Sequence, residues 1–499
     1  MLNSSSFSTT NIPFPSAYNP SIPEEFPAYH PGMVEVKFRT DSGPVAAAMA
    51  MGAGLVMTRA IASGSPGTGV LLAFERAGLI RKVTSLVDSS LMSMASAETP
   101  MLSALSASVS PSLPNDPNTG VNLVELYDDA STESLVTQLS QDPSVESVSR
   151  VPIRYLLAKK ASKRASAGGP AVPAAAAPPA NTLWNLDRIR WAQARLKPGF
   201  KDANQIKVAV LDTGIDSAHP DLGSSIVLYD YTHPTDPNIS SSRDIIGHGT
   251  HVAGTITATI NNAVGINGIC RCKLHALKIF DDTPDWWPAQ GYFAYFVNPV
   301  MYAKALAKCV SLGIQVINLS IGGRGAPSAN EASLFRSLIQ NGTTVVAAMG
   351  NSNSSILEYP AAIPGVIAVG ATSINDTRAT FSNYGSHINL CAPGVGIWST
   401  IPTYAGNSGY QARPTFPPTP DFSRQIPRDV DYANWQGTSM ASPHVAGAVA
   451  LLLANKGPMT PAQVAQKLMA KAVKVPAMGG QSFTPEYGAG RLDLEALLA

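Results

Sequence analysis

One short stretch constrains this chain more than any other, because it places a serine at the start of an apolar helix. The segment NWQGTSMASPHVAG, residues 434–447, surrounds Ser439 with small residues. The run that follows, residues 445–454, is apolar on nearly every face and predicts a buried helix. A side chain on its first turn points into a cleft, and the helix start favours negative charge developing beside it. We therefore take Ser439 as a candidate nucleophile.

Two further segments supply the partners that a nucleophilic serine needs. A serine hydroxyl is a weak nucleophile unless a base takes its proton and a third group orients that base. The run VAVLDTGID, residues 208–216, carries Asp212 at the end of a predicted strand, and GHGTHVAGT, residues 247–255, opens a small-residue helix with His248. Each residue alone also has an ordinary structural explanation, as a capping aspartate, a core histidine or a capping serine. Together they predict an orienting carboxylate, a general base and a nucleophile.

These three segments resemble those of the subtilisin family of serine proteases, and the resemblance runs from about Trp184 to the end of the chain. Subtilisin itself has its catalytic residues in the order aspartate, histidine, serine, and the same order here is part of the resemblance. The resemblance implies a serine endopeptidase that hydrolyses protein or peptide substrates through an acyl-enzyme, with Asp212, His248 and Ser439 as its triad. A non-catalytic binding protein is the alternative, and it would need a broken triad or oxyanion segment, neither of which is broken here.

Strand-like and helical stretches alternate along residues 183–499, which we assign to the peptidase domain. The alternation predicts an α/β fold, a subtilisin-like parallel sheet with helices on both faces, whose ligands gather at the carboxyl ends of the strands. A composition of 45% hydrophobic and 14% charged residues can bury a large core, and 35 basic against 34 acidic side chains give no sign of a nucleic-acid partner. The strand-like runs are residues 207–211, 274–280, 315–320, 343–348 and 366–371.

A glycine-containing segment, INLSIGG (residues 317–323), resembles the family's substrate-binding strand. In the family, an extended peptide adds to this free edge by main-chain hydrogen bonds. Glycines at such an edge let the two backbones approach each other. The resemblance implies that Ser320, Ile321, Gly322 and Gly323 contact the substrate.

The segment AAMGN, residues 347–351, resembles the part of the family that carries the oxyanion asparagine. Attack on a peptide carbonyl places negative charge on its oxygen, which the side-chain amide of Asn351 and the backbone N–H of Ser439 would stabilise. A Gly-Asn pair is also an ordinary turn dipeptide. The apolar strand immediately before the pair favours the catalytic interpretation of Asn351.

An asparagine-rich segment after the histidine helix, INNAVGI (residues 260–266), resembles the family's calcium loop. Oxygen ligands and a glycine turn suit Ca²⁺, whose role here would be structural. The family's remaining ligand would come from near residue 180, where the match fails, so a looser or incomplete site is the alternative. The implied ligands are the side chains of Asp221 and Asn262 and the carbonyl oxygens of Ile260, Val264 and Ile266.

The region before the peptidase domain divides by composition. Residues 1–31 are expected to be an extended or disordered segment, and residues 32–157 predict a small α+β domain of ferredoxin-like type. Its predicted strands are residues 33–39, 121–127 and 145–151, and its clearest helix is residues 132–139, with Thr132 as the cap.

The predicted order of a strand, a helix, an Asp-Pro pair and a second strand, just before the peptidase domain, resembles the end of the subtilisin propeptide. In that family the propeptide is an intramolecular chaperone and inhibitor whose tail lies in the active-site cleft until it is cut. The protein would then be made as a zymogen and bind its own N-terminal domain. An unrelated interaction domain, or a complex that stays permanently inhibited, is the alternative. Within this domain, residues 89–118 predict a loose insertion of low complexity.

Residues 158–182 have almost nothing to bury and predict a surface linker that proteases cut readily. We expect maturation between about residues 157 and 181. The basic pairs at residues 159–160 and 163–164 either mark dibasic cleavage sites or simply keep the linker solvated.

Three features bear on substrate specificity. The aromatic-rich residues 281–299 either form walls for hydrophobic side chains or pack on the domain surface. Glu358 either reaches the floor of the primary pocket, where it would favour Lys or Arg, or is a solvated loop residue. Residues 403–433, rich in Pro and Arg, are an insertion that acts as a lid or as a docking surface.

Residues 1–30 contain no Lys or Arg and lack the basic and apolar regions of a secretory signal. We expect a cytoplasmic start, either permanent or followed by export through a signal-independent route. The apolar run at residues 44–57 is too short to span a bilayer and favours a core helix. We expect a monomer with no membrane span.

The cysteines are too scattered for a disulfide scaffold or a zinc site. We expect buried or reduced thiols, with a single bridge as the alternative. Cys270 and Cys272 are predicted to lie on a strand with their side chains facing opposite ways. The four are Cys270, Cys272, Cys309 and Cys391.

Overall fold

The computed structural model describes most of the 499-residue chain. The described residues are 27–39, 66–86, 121–156, 159–160, 183–223, 226–229, 242–287, 292–413, 415 and 418–499. The expectations for residues 1–26, for the run at 44–57, for the insertion at 89–118 and for linker residues 161–182 lie outside this set. Within it, none of the helices has the length and apolar character needed to cross a membrane.

An N-terminal unit contains a four-stranded antiparallel sheet with two helices packed on it, as the α+β prediction requires. Every second residue of its first strand is buried, including Val34 and Val36, and this face packs against Leu71 and Leu135 of the helices. Its elements are β1 (Tyr29–Phe38), α1 (Pro66–Arg76), β2 (Ile80–Ser85), β3 (Val121–Leu126), α2 (Thr132–Ser140) and β4 (Val145–Pro152). The spatial order is β2-β3-β1-β4, and β2 was not predicted.

The predicted cap of α2 is wrong by one residue. Thr132 is the first helical residue, and Ser131 holds the N-cap position without a side-chain cap bond. The carboxylate of Asp128 accepts from Ser131 N at 2.9 Å, and that of Asp129 accepts from Thr132 Oγ1 at 3.1 Å. Two aspartates before the helix therefore supply the acceptors that a capping Ser or Thr usually offers.

Two short strands, β5 (Tyr155–Leu156) and β6 (Lys159–Lys160), connect this unit to the larger one. The strands that follow are β7 (Lys207–Asp212), β8 (Ile226–Tyr229), β9 (Lys273–Lys278), β10 (Asp285–Trp287), β11 (Tyr292–Ala294), β12 (Val316–Leu319), β13 (Ile321–Gly322), β14 (Thr344–Ala348), β15 (Ile367–Thr372), β16 (Leu390–Pro393), β17 (Ile397–Thr400), β18 (Asn407–Tyr410), β19 (Gln425–Pro427) and β20 (Tyr432–Gln436).

The helices of the larger unit are α3 (Trp184–Arg188), α4 (Trp191–Arg195), α5 (His248–Thr257), α6 (Pro299–Ser311), α7 (Ala329–Gln340), α8 (Thr438–Lys456), α9 (Pro461–Lys471) and α10 (Leu494–Leu497), with a 3-10 turn at Pro476–Met478.

A seven-stranded parallel sheet forms the centre of the larger unit, in the order β16-β15-β14-β12-β7-β9-β8. Helices α5 and α8 bury Val252 and Val449 on one face, and α6 and α7 bury Leu306 and Leu334 on the other. This confirms the predicted α/β fold. The five predicted strands are β7, β9, β12, β14 and β15, whereas β8 and β16 at the two edges were not predicted.

The cysteines are all buried free thiols, so the alternative of a disulfide bridge is wrong. The expected strand around Cys270 and Cys272 is also wrong, because β9 begins only at Lys273. The two thiols hydrogen-bond to each other, and this contact, together with burial, holds the pKa of Cys270 well above its usual range.

Candidate active site

Asp212 and His248 meet where a strand ends and a helix begins. Asp212 is the last residue of β7, and His248 is the first residue of α5. Both side chains are buried, and His248 Nδ1 lies 2.7 Å from Asp212 Oδ1. Because an ionised carboxylate only accepts hydrogen bonds, Nδ1 carries the proton and Nε2 is the basic nitrogen. Thr213 N also donates to Asp212 Oδ1, at 2.8 Å.

A second aspartate, Asp244, fixes the loop that precedes His248. Its carboxylate accepts from Gly247 N at 2.7 Å, from Thr250 N at 2.9 Å, and from the hydroxyls of Thr213 and Thr250 at 2.8 and 2.7 Å. Asp244 thereby ties the end of β7 to the start of α5. Its role was not predicted, although a carboxylate four positions before His248 is visible in the sequence.

Ser439 is the second residue of α8 and is completely buried. Its Oγ donates to the carbonyl oxygen of Ser320 at 3.1 Å. Among the described residues, His248 Nε2 has no hydrogen-bond partner. The structure therefore joins Asp212 to His248 but directs the serine hydroxyl toward Ser320. Such catalytic hydrogen bonds often form only in the complex with substrate.

The first turns of α8 are anchored to the end of β12. Pro443 lies inside the helix and has no N–H, so the carbonyl of Ser439 four residues earlier has no helical donor. That carbonyl instead accepts from Ser320 Oγ at 3.0 Å. Ser442 Oγ donates to Asn318 Oδ1 at 2.7 Å, and Asn318 Nδ2 donates to Ser320 Oγ at 3.0 Å. The proline and these polar side chains together set the position of Ser439.

Asn351 follows β14 and lies beside the start of α8. Its Oδ1 accepts from both the backbone N and the hydroxyl of Thr438, each at 2.9 Å. The oxygen of the amide is therefore held by Thr438, which turns the donor nitrogen Nδ2 to the opposite side. An amide nitrogen oriented in this way is a suitable donor to a developing oxyanion.

Two other histidines near the site have structural contacts. His251 Nε2 lies 3.1 and 3.2 Å from the carbonyl oxygens of Ile397 and Ala433, so this nitrogen is a donor and not a metal ligand. Burial lowers the pKa of His251 to about 3. The ring of His251 stacks on Trp435. Burial also lowers the pKa of His444 to about 4, and its Nδ1 lies 2.7 Å from Met440 O.

The chain's own N-terminal segment lies in the cleft on both sides of Ser439. On one side, β5 pairs antiparallel with β13, with Tyr155 opposite Gly322 and Leu156 opposite Ile321. On the other side, β6 pairs antiparallel with β20, which leads into α8. Only residues 157–158 separate the two pairings. Extended segments of the chain thus lie on both sides of the nucleophile region, and two residues at the start of the expected linker, Lys159 and Lys160, are strand residues.

The pairing with β5 is made by Ile321 and Gly322, which lie in the substrate strand predicted at Ser320–Gly323. The opposite edge of β5 is covered as well, since Val297 N donates to Arg154 O at 2.8 Å. At Gly323, an added Cβ would overlap the carbonyl oxygen of Ile153, so only glycine permits this approach.

Glu358 is buried at 1% exposure, so its interpretation as a solvated loop residue is wrong. Its carboxylate accepts from Asn383 Nδ2 at 3.0 Å and from Tyr155 OH at 3.3 Å. Burial raises the pKa of Glu358 above its usual value. Glu358 therefore lies against the segment that fills the cleft.

The two insertions contact each other through aromatic rings. Phe293 of β11 lies 5.4 Å from Tyr410 and 5.0 Å from Phe422, measured between ring centroids. The aromatic residues near 293 thus pack on the second insertion, whereas Phe296 packs with Tyr155 of the cleft segment. Surface packing therefore holds for Phe293, whereas aromatic walls for substrate side chains stay a prediction.

Two of the residues predicted to hold calcium, Asn262 and Ile266, contact Asp221. This carboxylate is completely buried, accepts from Asn262 Nδ2 at 2.8 Å and Ile266 N at 2.9 Å, and has no Lys or Arg ion pair among the described residues. Burial raises the pKa of Asp221 in spite of these donors. The loop turns through left-handed residues at Asn261, Ala263 and Gly265. A buried carboxylate beside a side-chain amide fits the oxygen chemistry that Ca²⁺ prefers.

Known proteases resemble this chain along most of its length. The subtilase family model matches residues 203–490. Subtilisin amylosacchariticus from Bacillus subtilis subsp. amylosacchariticus is 34% identical over 373 residues, which is 73% of this chain and 78% of that protein. A subtilisin from Bacillus pumilus is 36% identical over 322 residues, 63% of this chain and 97% of its own length.

A crystal structure shares the fold at a lower sequence identity. Fervidolysin from Fervidobacterium pennivorans, a keratinolytic enzyme related to subtilisin, superposes with a TM-score of 0.60 at 24% identity. The match covers 94% of this chain and 61% of that structure. With the family match spanning more than half of the sequence, this chain belongs to the subtilase family of serine endopeptidases.

Proposed function

We propose that Asp212, His248 and Ser439 form the catalytic triad. His248 Nε2 takes the proton of Ser439 Oγ as the oxygen attacks the substrate carbonyl, and it then gives that proton to the leaving amine. Asp212 holds the imidazole with Nδ1 protonated and offsets its positive charge. Water hydrolyses the acyl-enzyme by the same steps in reverse.

The developing oxyanion would be stabilised by Asn351 Nδ2 and by the backbone N–H of Ser439 at the start of α8. Ser320, Ile321, Gly322 and Gly323 would bind the substrate as an added antiparallel strand. The observation that carries this proposal is the pairing of β5 with β13, because an extended peptide lies there on this edge in the orientation that a substrate would need.

The same pairing supports a zymogen in which the N-terminal unit inhibits the peptidase. While β5 and β6 are paired on either side of Ser439, a substrate cannot take the same hydrogen bonds. Maturation would cut the chain between Leu156 and Lys159, the part of the segment that lies between the two pairings. A permanently inhibited complex is the competing function, favoured by the complete burial of Ser439 and His248.

A fluorophosphonate probe, which reacts with activated serines, separates these functions. The full chain is treated with the probe before and after the linker, residues 161–182, is nicked by an added protease. We expect labelling to rise after nicking and to be lost in Ser439→Ala. Absence of labelling after nicking would favour permanent inhibition, whereas labelling of Ser439→Ala would place the nucleophile elsewhere.

We also propose that Asp221 and Asn262, with the carbonyl oxygens of Ile260, Val264 and Ile266, hold a structural Ca²⁺. A ligand that binds only the folded state stabilises it by about 2.7 kcal/mol at a concentration one hundred times its dissociation constant. Calcium should therefore raise the unfolding temperature of the wild-type protein and leave that of Asp221→Asn unchanged. Equal unfolding temperatures of the wild type in calcium and in chelator would exclude the site.

A further inference from the structure

Arg154, just before β5, is the largest completely buried side chain among the described residues, at 1% exposure. Its guanidinium makes two parallel contacts with the carboxylate of Glu331, from Nη2 to Oε2 at 2.7 Å and from Nε to Oε1 at 3.1 Å. Nη1 also donates to the carbonyl oxygen of Gly325 at 2.8 Å. The guanidinium lies over the ring of Tyr359, 5.8 Å from its centroid. A bidentate buried pair of this kind is specific for arginine.

Apart from the carbonyl oxygen of the neighbouring Ile153, 3.1 Å from Nη1, the acceptors of this guanidinium belong to the peptidase and not to the N-terminal unit. Glu331 lies in the first turn of α7, and its Oε1 also accepts from Tyr302 OH at 3.2 Å. A cavity of about 30 Å³ borders Glu331 and Arg154, which leaves space for about one water molecule. Once the segment carrying Arg154 leaves, Glu331 remains on the wall of the cleft without its cationic partner, which is costly for a buried carboxylate.

The strand register places Arg154 relative to the bond that would be cut. Tyr155 lies opposite Gly322 and Leu156 opposite Ile321, so the next residue of a peptide bound in this register lies opposite Ser320. Ser320 is also the residue that contacts Ser439 through both its carbonyl and its hydroxyl. The residue opposite Ser320 would therefore present its carbonyl carbon to the nucleophile. Counting back from that residue, the position of Arg154 is the fourth before the cleaved bond.

We propose that Glu331, Tyr302 and the Gly325 carbonyl form a subsite for arginine. The subsite selects substrates with arginine at the fourth position before the cleaved bond. This proposal rests on the proposed proteolytic function. The N-terminal segment is then a substrate-like occupant of this arginine subsite. Lysine is a poorer occupant, because an ammonium cannot make the two parallel contacts with Glu331 and the additional contact with Gly325 at once.

The test compares cleavage of quenched fluorescent peptides by the full chain after it has processed itself or been nicked in the linker. One peptide carries the protein's own sequence IRYLLAKK, residues 153–160. The others replace its arginine by citrulline, the neutral isostere, by lysine or by leucine. Any N-terminal unit that stays bound lowers the cleavage rate of all peptides by the same factor. The quantity to compare is therefore the ratio of kcat/KM for the arginine peptide to kcat/KM for each other peptide. We expect the citrulline and leucine peptides to be cleaved about 30-fold less efficiently than the arginine peptide, as for loss of one partner of a buried ion pair.

Glu331→Gln should reduce this ratio to less than about threefold, and Glu331→Asp, which keeps the charge, should restore part of it. Asp202→Asn is the matched control, because Asp202 pairs with Arg195 outside the proposed subsite, and it should leave the arginine-to-citrulline ratio unchanged. Active sites are counted with the fluorophosphonate probe, which also shows that each variant is folded.

Equal cleavage of the arginine and citrulline peptides by the labelled wild type would overturn the arginine subsite while leaving the proteolytic function intact. A preference that persists in Glu331→Gln would likewise overturn the assignment to Glu331. Absence of both labelling and cleavage would instead contradict the proposed proteolytic function.

Discussion

At the scale of single residues, the Asp212 carboxylate does what an amide of the same shape cannot do. Its Oδ1 accepts one hydrogen bond from His248 Nδ1 and another from Thr213 N, so this atom must be an acceptor. An asparagine could turn its NH₂ toward His248, and Nδ1 would then have to accept. The proton would move to Nε2, where it blocks the nitrogen that takes the serine proton in the proposed triad.

Asp212→Asn should therefore lower kcat about 10⁴-fold, the loss known for this substitution in the trypsin-like triad, with little change in KM. The measurement is the steady-state rate per fluorophosphonate-labelled site. Asp202→Asn is a suitable control, because Asp202 pairs with Arg195 away from the triad and should retain activity within about twofold. A loss of less than tenfold in Asp212→Asn would show that Asp212 does not set the tautomer of His248.

At the scale of elements, the pairing of β5 with β13 depends on a close approach of two backbones. Gly323 faces the carbonyl of Ile153, and a methyl group there would overlap it, so the segment would have to move away. The N-terminal segment uses this edge, and the proposed function places a substrate on the same edge. Loss of the approach should therefore weaken both inhibition and substrate binding.

Gly323→Ala should make the full chain react with the fluorophosphonate probe about tenfold faster than wild type before any nicking, the equivalent of roughly 1.4 kcal/mol of lost pairing. It should also raise KM for peptide substrates. Gly223→Ala is the matched control, because its Cβ would meet only Thr259 Oγ1 at the ordinary contact distance of 3.5 Å. If Gly323→Ala is labelled at the wild-type rate, the pairing does not protect Ser439.

The sequence could predict the elements that carry a strong local pattern. The strand ending at Asp212, the buried helix after Ser439 and the alternating strand β1 all have such patterns, and all three are present. The arginine subsite could not be predicted in this way. Glu331 is an ordinary first-turn glutamate of an amphipathic helix in the sequence, and only the fold brings it to Arg154, 177 residues earlier.

Short edge strands escaped prediction for a different reason. β8 and β16 have four residues each, and at that length an apolar run is typical of several structures. The contact between Cys270 and Cys272 also escaped, because the prediction that these side chains face opposite ways is wrong even for a strand, where residues two apart share a face.

At the scale of the whole molecule, the N-terminal unit docks against the start of α7. Glu35 of β1 accepts from Asn330 N at 3.3 Å, and Ser149 of β4 accepts from Ala329 N at 3.4 Å. These acceptors meet the first N–H groups of the helix, which have no partners within it. Nearby, the ring of His30 contacts the ring of Phe296, 6.2 Å away between centroids. The docked state therefore partly buries one acid and one base, Glu35 and His30.

Glu35 and His30 make the strength of docking depend on pH in opposite directions. Burial raises the pKa of Glu35 from 4.5 to about 7, so its contribution to docking is present at low pH and is lost as pH rises through 7. Burial, followed by the charge of Arg154, lowers the pKa of His30 from 6.5 to about 4. The contribution of His30 is present above pH 6.5 and is lost as pH falls toward 4. Because the two effects oppose each other, docking of the wild-type unit should change little between pH 4 and 7.

Replacing Glu35 by Gln should expose the histidine effect alone. In the variant, docking should weaken steadily as pH falls from 6.5 to 4, and at pH 8 it should be tighter than in the wild type, because no carboxylate has to be buried with its charge. The measurement is the fraction of N-terminal unit that stays bound to linker-nicked Ser439→Ala protein on size exclusion at each pH. Glu75→Gln on the exposed part of α1 is the control and should follow the wild type. If the bound fraction of Glu35→Gln has the same pH dependence as that of the wild type, the Glu35 carboxyl does not change its protonation on docking. His30 would then have to be tested alone.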